Sequence, residues 1–359
     1  MISKREKFFD IARSASAIAL AMGVAFALIL LTSKMPGEAI KSLIVTPFST
    51  KRYVWRILER MVPLVFTGLA VCIMFSSNQF NLAGEGAFFA GGMTGASVAI
   101  YMNLPFGLHP VVAVIFAGLV GAIIMLLVSI LSVKLGANML VISLMVNYVI
   151  LQFGTHINTY VIRDPQWGGN GSYLMQKSAL IPPIKYTTSY GLIFAVLMIV
   201  VVGLYIYHTK WGYSVRMIGA NISFAQYSGI KVDSVIISSQ LIGGAIAAMG
   251  GAVEVLGFYK RFEWNALPGY GWTGVTIAIL AGNNPWKVPL AAFFLAYLEV
   301  GSGLMQINAD IQPEMLDIIK AIIFLFFAAK NFLAPLRQKL VVKAALSELN
   351  ENKSVEAEV

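Results

Sequence analysis

The chain has 359 residues, of which 58% are hydrophobic and only 12% charged, and its formal net charge is +9. A soluble domain of this size has too little interior to hide so much apolar surface, so the composition excludes a soluble globular fold and leaves the lipid bilayer as solvent. The basic excess does not indicate nucleic acid, because no basic motif with interleaved aromatics accompanies it; it suits loops that meet anionic headgroups.

Lys4, Arg5, Lys7 and Arg13 precede an apolar run over about 14–31. The run is long for a signal-peptide core and no small-residue cleavage site follows, so it reads as an uncleaved first helix with a cytoplasmic N-terminus. Further spans of about 20 apolar residues are expected near 57–76, 82–102, 110–133, 138–161, 190–208, 234–257, 288–307 and 316–333. A shorter one is expected at 268–281, entered through Gly269, Gly271 and Gly274 and left through Gly282-Asn283-Asn284-Pro285. Interrupted segments survive in lipid only where protein or water covers their backbone, which places the short one inside the bundle. The fold expected is all-α: a polytopic membrane protein of about ten transmembrane segments, one of them short or re-entrant.

This count puts both termini in the cytoplasm, in keeping with Arg337, Lys339 and Lys343 after the last span. Residues 34–60 carry six basic side chains on the outer side, against the charge rule, and read as an amphipathic helix in the interface, opened by Pro36 and Gly37 with Tyr53 and Trp55 at headgroup level. The loop 162–189 is expected outside and the loop 208–233 inside. Cys72, the single cysteine, lies in an apolar run and offers neither a disulfide nor a thiolate metal cluster.

The inner loop carries a local signal. Asn221 suits the cap of a short helix over 222–228, Gly229 suits its end, and Phe224 and Ala225 give it an apolar knob for a groove on a cytoplasmic partner. The same residues also fit a plain loop with one helical turn.

Three strings resemble one family. Gly219-Ala220-Asn221 with Ala225 and Gly229-Ile230 is similar to the coupling loop of ATP-binding-cassette importer permeases of the branched-chain amino acid and simple-sugar superfamily. The run Gly250-Gly251-Ala252-Val253-Glu254-Val255-Leu256-Gly257, followed by Arg261-Phe262 and Pro268-Gly269-Tyr270-Gly271, resembles the nucleoside-type branch. Phe80-Asn81-Leu82-Ala83-Gly84-Glu85-Gly86 resembles a third motif, with Ala83 where the family often has glycine.

The resemblance runs from about residue 54 to 333 and implies a permease core at 54–333, after an N-terminal helix and interfacial segment at 1–53 and before a cytoplasmic polar tail at 334–359. It implies an importer for nucleosides, with simple-sugar and riboflavin-type permeases as the alternative and a secondary transporter or channel as the rival from another class. The implied partners are two cytoplasmic ATPase subunits, a second permease subunit that is a homologous different chain, and an extracytoplasmic solute-binding protein. The membrane is the bacterial cytoplasmic one. No cofactor or metal is called for, and no catalytic residue: the chain contains no Gly-Lys dipeptide and hence no phosphate loop. His109, His156 and His208 are far apart.

ATPase coupling falls to Gly219, Ala220, Asn221, Ala225 and Gly229, and a structural motif to Asn81, Glu85 and Gly86, with Glu85 accepting hydrogen bonds from a tight glycine turn. Ionisable groups within spans are candidates for function by default, here Glu85, Glu254, Glu299, Asp317 and Lys320. The expected substrate path is Asn147, Tyr148, Gln152, Glu254, Trp272 and Thr276: amides, a carboxylate and hydroxyl for hydrogen bonds, and ring faces, with Phe258, for a base. The ordinary role of such amides is bonding between helices.

Overall fold

The structure, a computed structural model, describes residues 19–20, 22–31, 33–309, 312 and 314–328. The chain divides into two compact units. One consists of residues 1–36 and 311–359 and contains the helices α1 (Met22–Leu31) and α14 (Met315–Ala328). Ala25 and Ile29 of α1 and Ile319 of α14 are wholly buried. The basic head before Ser14 and the tail 334–359 lie outside the described residues.

The larger unit spans residues 37–310. It holds the short helices α2 (Pro36–Ile44) and α3 (Thr46–Ser49), then α4 (Lys51–Ser76), α5 (Gly84–Tyr101), α6 (Leu108–Leu135) and α7 (Met139–Tyr160). A hairpin of β1 (Pro183–Lys185) and β2 (Thr188–Ser189) precedes α8 (Gly191–His208), α9 (Lys210–Ala220), α10 (Ile222–Tyr227), α11 (Val232–Phe258), α12 (Tyr270–Leu280) and α13 (Val288–Asn308). Among the described residues six helices are long and apolar enough to cross a membrane: α4, α6, α7, α8, α11 and α13. The other four predicted spans form α1, α5, α12 and α14, of 10, 18, 11 and 14 described residues.

The bundle is built around α11, which packs on α4, α5 and α6, while α12 and α13 pack on α4. Small residues allow the α5–α11 contact. A Cβ on Gly251 would collide with the Phe88 carbonyl oxygen, and one on Gly91 with the Ala248 backbone, so the Gly91/Gly95 and Gly243/Ala247/Gly251 repeats serve close packing.

Two expectations need correction. Residues 34–60 are not one interfacial helix: α2 and α3 end before Thr50, and Lys51, Arg52, Arg56 and Arg60 open the continuous 26-residue α4. The apolar window that marks a span starts after its helix does, because a charged first turn still closes backbone hydrogen bonds. The loop 208–233 likewise contains a second helix, α9, with Thr209 as its cap: the hydroxyl accepts from the Gly212 N–H at 3.0 Å.

The loop 162–189 is tied to the bundle through its backbone. Ser172 and Phe262 are joined by Ser172 N–H to the Phe262 carbonyl at 3.0 Å and by Phe262 N–H to the Ser172 hydroxyl at 2.9 Å. Asp164 meets Arg261 at 2.7 Å, and the Arg261 guanidinium stands 4.5 Å from the Trp167 ring centre. These contacts hold residues 259–269 as they fold from the end of α11 back into the bundle, with Phe262 and Trp264 buried against Phe88 and Phe89 of α5.

Candidate functional site

The chain re-enters the bundle at Gly269, and α12 starts there. Eleven residues make a helix of about 16 Å, half of a bilayer core. Its first N–H groups have no partner within the helix, and Gly269, at φ +84°, has no side chain to cap them. Glu85 supplies the cap from α5. One carboxylate oxygen accepts from the Gly269 N–H at 2.6 Å and the other from the Gly271 N–H at 2.5 Å. A negative group at a helix N-terminus is favoured by the aligned peptide dipoles as well as by the bonds. Gly271 is the only residue type that fits, since a Cβ there would lie 2.5 Å from the Glu85 backbone.

The neighbours of Glu85 brace the same junction. The Asn81 amide donates to Gln240 of α11 at 2.9 Å, and its oxygen accepts from the Ala83 N–H at 2.8 Å. The Gly86 N–H donates to the Asn147 side-chain oxygen at 2.8 Å, and the Asn147 amide donates back to the Leu82 carbonyl at 3.0 Å. The motif 80–86 thus joins α5 to α7, α11 and α12. Glu85 bonds a glycine turn, as expected, but one 184 residues away.

Beside the start of α12 lies a polar relay. Arg60 of α4 donates to the Tyr270 hydroxyl at 3.1 Å, and that hydroxyl donates to Glu254 of α11 at 3.2 Å. The Arg60 guanidinium also stands 5.3 Å from the Phe258 ring centre. Glu254 is buried, whereas Phe258 and Trp272 are 44% and 48% exposed. Thr276, one turn beyond Trp272, is half-buried.

Of the six residues expected on a substrate path, Glu254, Trp272 and Thr276 belong to this neighbourhood. Asn147 is only 2% exposed and spends both ends of its amide on the backbone of Leu82 and Gly86, so it braces the junction. Tyr148, 66% exposed, and Gln152 stand on the uncovered side of α7, and no contact joins them to the relay. Arg60 and Tyr270 were missed as relay members. Arg60 abuts the apolar run 61–75, and extending that helix back one turn would have counted it among the ionisable residues of a span.

At the other end of α11, α10 has the expected form. The Asn221 side-chain oxygen accepts from the Phe224 N–H at 3.0 Å, and Gly229 turns the chain at φ +80°. The Ile230 N–H closes the turn on the Ala225 carbonyl at 3.1 Å. Ala225 is not the exposed knob, because it is wholly buried against its own chain; Phe224 and Tyr227 are outward, the latter 93% exposed. A Cβ on Gly219 would collide with the Ser76 carbonyl, so α9 ends directly against the end of α4.

Residues 53–328 match the family described as branched-chain amino acid transport system / permease component. A guanosine ABC transporter permease protein of Bacillus subtilis is 31% identical over 299 residues, covering 82% of this chain and 86% of its own. A glucose ABC transporter permease protein of Haloferax volcanii is 29% identical, covering 83% and 81%. A nucleoside ABC transporter permease protein of Lactococcus lactis is 26% identical, covering 81% and 83%.

Proposed function

We propose, from the premise that this chain belongs to the family of branched-chain amino acid transport system permease components, that it is the permease subunit of an ATP-driven importer for nucleosides. The observation that carries the solute class is the identity with the guanosine permease across most of both chains. The chemistry of the relay supports it: the charge of Arg60 is answered by Glu254 through Tyr270, which suits an uncharged solute better than a phosphate.

In this reading the subunit has ten membrane segments, both termini in the cytoplasm of a bacterium and the loop 162–189 outside, where a solute-binding protein delivers its load. The core is residues 54–333, with 1–53 as an N-terminal helix and interfacial part and 334–359 as a tail. Two cytoplasmic ATPase subunits power the importer, and a homologous but different permease chain completes it. Coupling runs through residues 219–229. The Asn221 cap and the Gly229 turn fix α10, Ala225 seats it, and Phe224 and Tyr227 present its face to the ATPase. Gly219 against Ser76 links it to α4, so a push on α10 reaches the helix that carries Arg60. Glu254 lies 22 residues from the start of α11, about 33 Å away, and α12 works between the two ends.

Uptake by membrane vesicles containing the whole importer tests this. Radiolabelled adenosine and guanosine are expected to enter in an ATP-dependent manner and to compete with each other. Ribose or glucose uptake that excess nucleoside fails to reduce would refute the nucleoside assignment.

A further inference from the structure

The uncovered side of α12 carries Trp272 and Thr276 and runs on to Arg60 and Phe258, since the guanidinium contacts both the Phe258 ring and the Tyr270 hydroxyl. Two arguments keep this face away from lipid. A guanidinium and a carboxylate within a span are too costly to leave against hydrocarbon. A helix that begins inside the membrane is tolerated only where its irregular approach is covered by protein or lines a water-filled cavity. The face is therefore one that protein covers or that lines a water-filled cavity, and a solute path is such a cavity.

At the edge of this face a donor group and an acceptor group flank one hydroxyl, with Arg60 half-buried and Glu254 buried behind Tyr270. The guanidinium offers N–H donors in a planar fork and the carboxylate offers only acceptors, with the Tyr270 hydroxyl accepting from one and donating to the other. Guanine is the base with the complementary edges. Its O6 and N7 form an acceptor pair that a guanidinium takes in bidentate fashion. Beside them, N1–H and the N2 amine form a donor pair that a carboxylate can accept. Hypoxanthine lacks the N2 amine. Adenine puts an amino donor where guanine has O6, and so faces the guanidinium donor to donor. Phe258 and Trp272 supply ring faces for the base.

We propose that Arg60, Tyr270 and Glu254 form the solute-reading site of the path and that the class it selects is guanine nucleosides. The inference rests on the reading that the importer carries nucleosides. The test is uptake of radiolabelled guanosine, inosine and adenosine by vesicles with the whole importer, with permease levels in the membrane measured alongside. The same solute-binding protein serves wild type and variants, so a change in the ratio of rates reports the permease. Glu254→Gln keeps one acceptor oxygen and turns an amide donor toward the N2 amine; the guanosine-to-inosine ratio is expected to fall about tenfold. Tyr270→Phe keeps the ring and its packing and removes the bridging hydroxyl; the guanosine-to-adenosine ratio is expected to fall, and this variant carries the test if Glu254→Gln does not accumulate. Arg60→Lys keeps the charge without the fork, so guanosine and inosine lose together against adenosine. Variants that reach the membrane and transport with unchanged ratios overturn the inference and leave the nucleoside reading standing. Wild-type vesicles that take up none of the three overturn that reading itself.

Discussion

Glu85→Ala removes the acceptor of two backbone N–H donors at the start of α12, that of Gly271 buried and that of Gly269 half-buried. Both bonds, at 2.6 and 2.5 Å, run to a carboxylate, and hydrogen bonds to charged groups contribute about 1.5–3 kcal/mol each. Losing both costs roughly 3–6 kcal/mol before any cavity is counted, a large share of the stability of an ordinary domain. Glu85→Gln retains one acceptor and sets an amide donor against the second N–H, so about half that loss is expected. Glu85→Asp shortens the reach by one methylene and is expected to fall between the two. Heating the detergent-solubilised importer and following the permease by size-exclusion chromatography gives the order: wild type most resistant, Glu85→Gln lower, Glu85→Ala lowest. A second readout is thiol labelling of Thr276→Cys in a Cys72→Ser background, which should quicken when the start of α12 is released. Melting of Glu85→Ala indistinguishable from wild type would show that water or another group caps the helix and would refute the reasoning.

Phe224→Glu and Tyr227→Glu should cut ATP-dependent uptake at least tenfold with normal membrane insertion, and normal co-purification of the ATPase with both variants would dismiss α10 as the docking element. A cysteine at Lys185, exposed in the β1–β2 hairpin, should react with impermeant reagents from outside in a Cys72→Ser background; labelling only from the cytoplasm inverts the proposed topology. The Arg261 side chain, and then the Gln166 N–H, hold the Asp164 carboxyl below its usual range. Its folded pKa lies under the unfolded value of about 3.9, so the contribution to the loop 162–189 is complete above that value and is lost as pH falls through the folded one. Trp167 fluorescence should report the loss at acid pH, compared between wild type and Asp164→Asn; the same acid transition in both would exclude the ion pair as its source.

Local chemistry was the most legible part of the sequence. The cap of α10 needs only Asn221 and an N–H three residues on, and its end needs only Gly229, so both follow from spacing. The brevity of α12 was visible in the glycines before it and the Gly-Asn-Asn-Pro after it. Burial was not legible at that range. Ala225 and Phe224 are neighbours on a short helix, and only the packing of α10 decides which is hidden. Asn147 reads equally well as a ligand group and a brace, because the carbonyl and N–H that consume it come from a turn 61 to 65 residues earlier. The relay has the same character: Arg60 and Tyr270 are 210 residues apart, and periodicity has no bearing on such a pair.

The distance in sequence between Glu85 and Gly269 also sets a clock. The carboxylate is synthesised 184 residues before the N–H groups it serves. At about 5–20 residues per second, the ribosome takes roughly 10–40 s to deliver them. During that interval α5 has no internal answer for Glu85 and α12 does not yet exist. An 11-residue helix is also too short to enter the membrane as an independent span. Completion of the bundle therefore waits on the last quarter of the chain, and a nascent chain arrested before residue 269 leaves Glu85 without the N–H groups it caps.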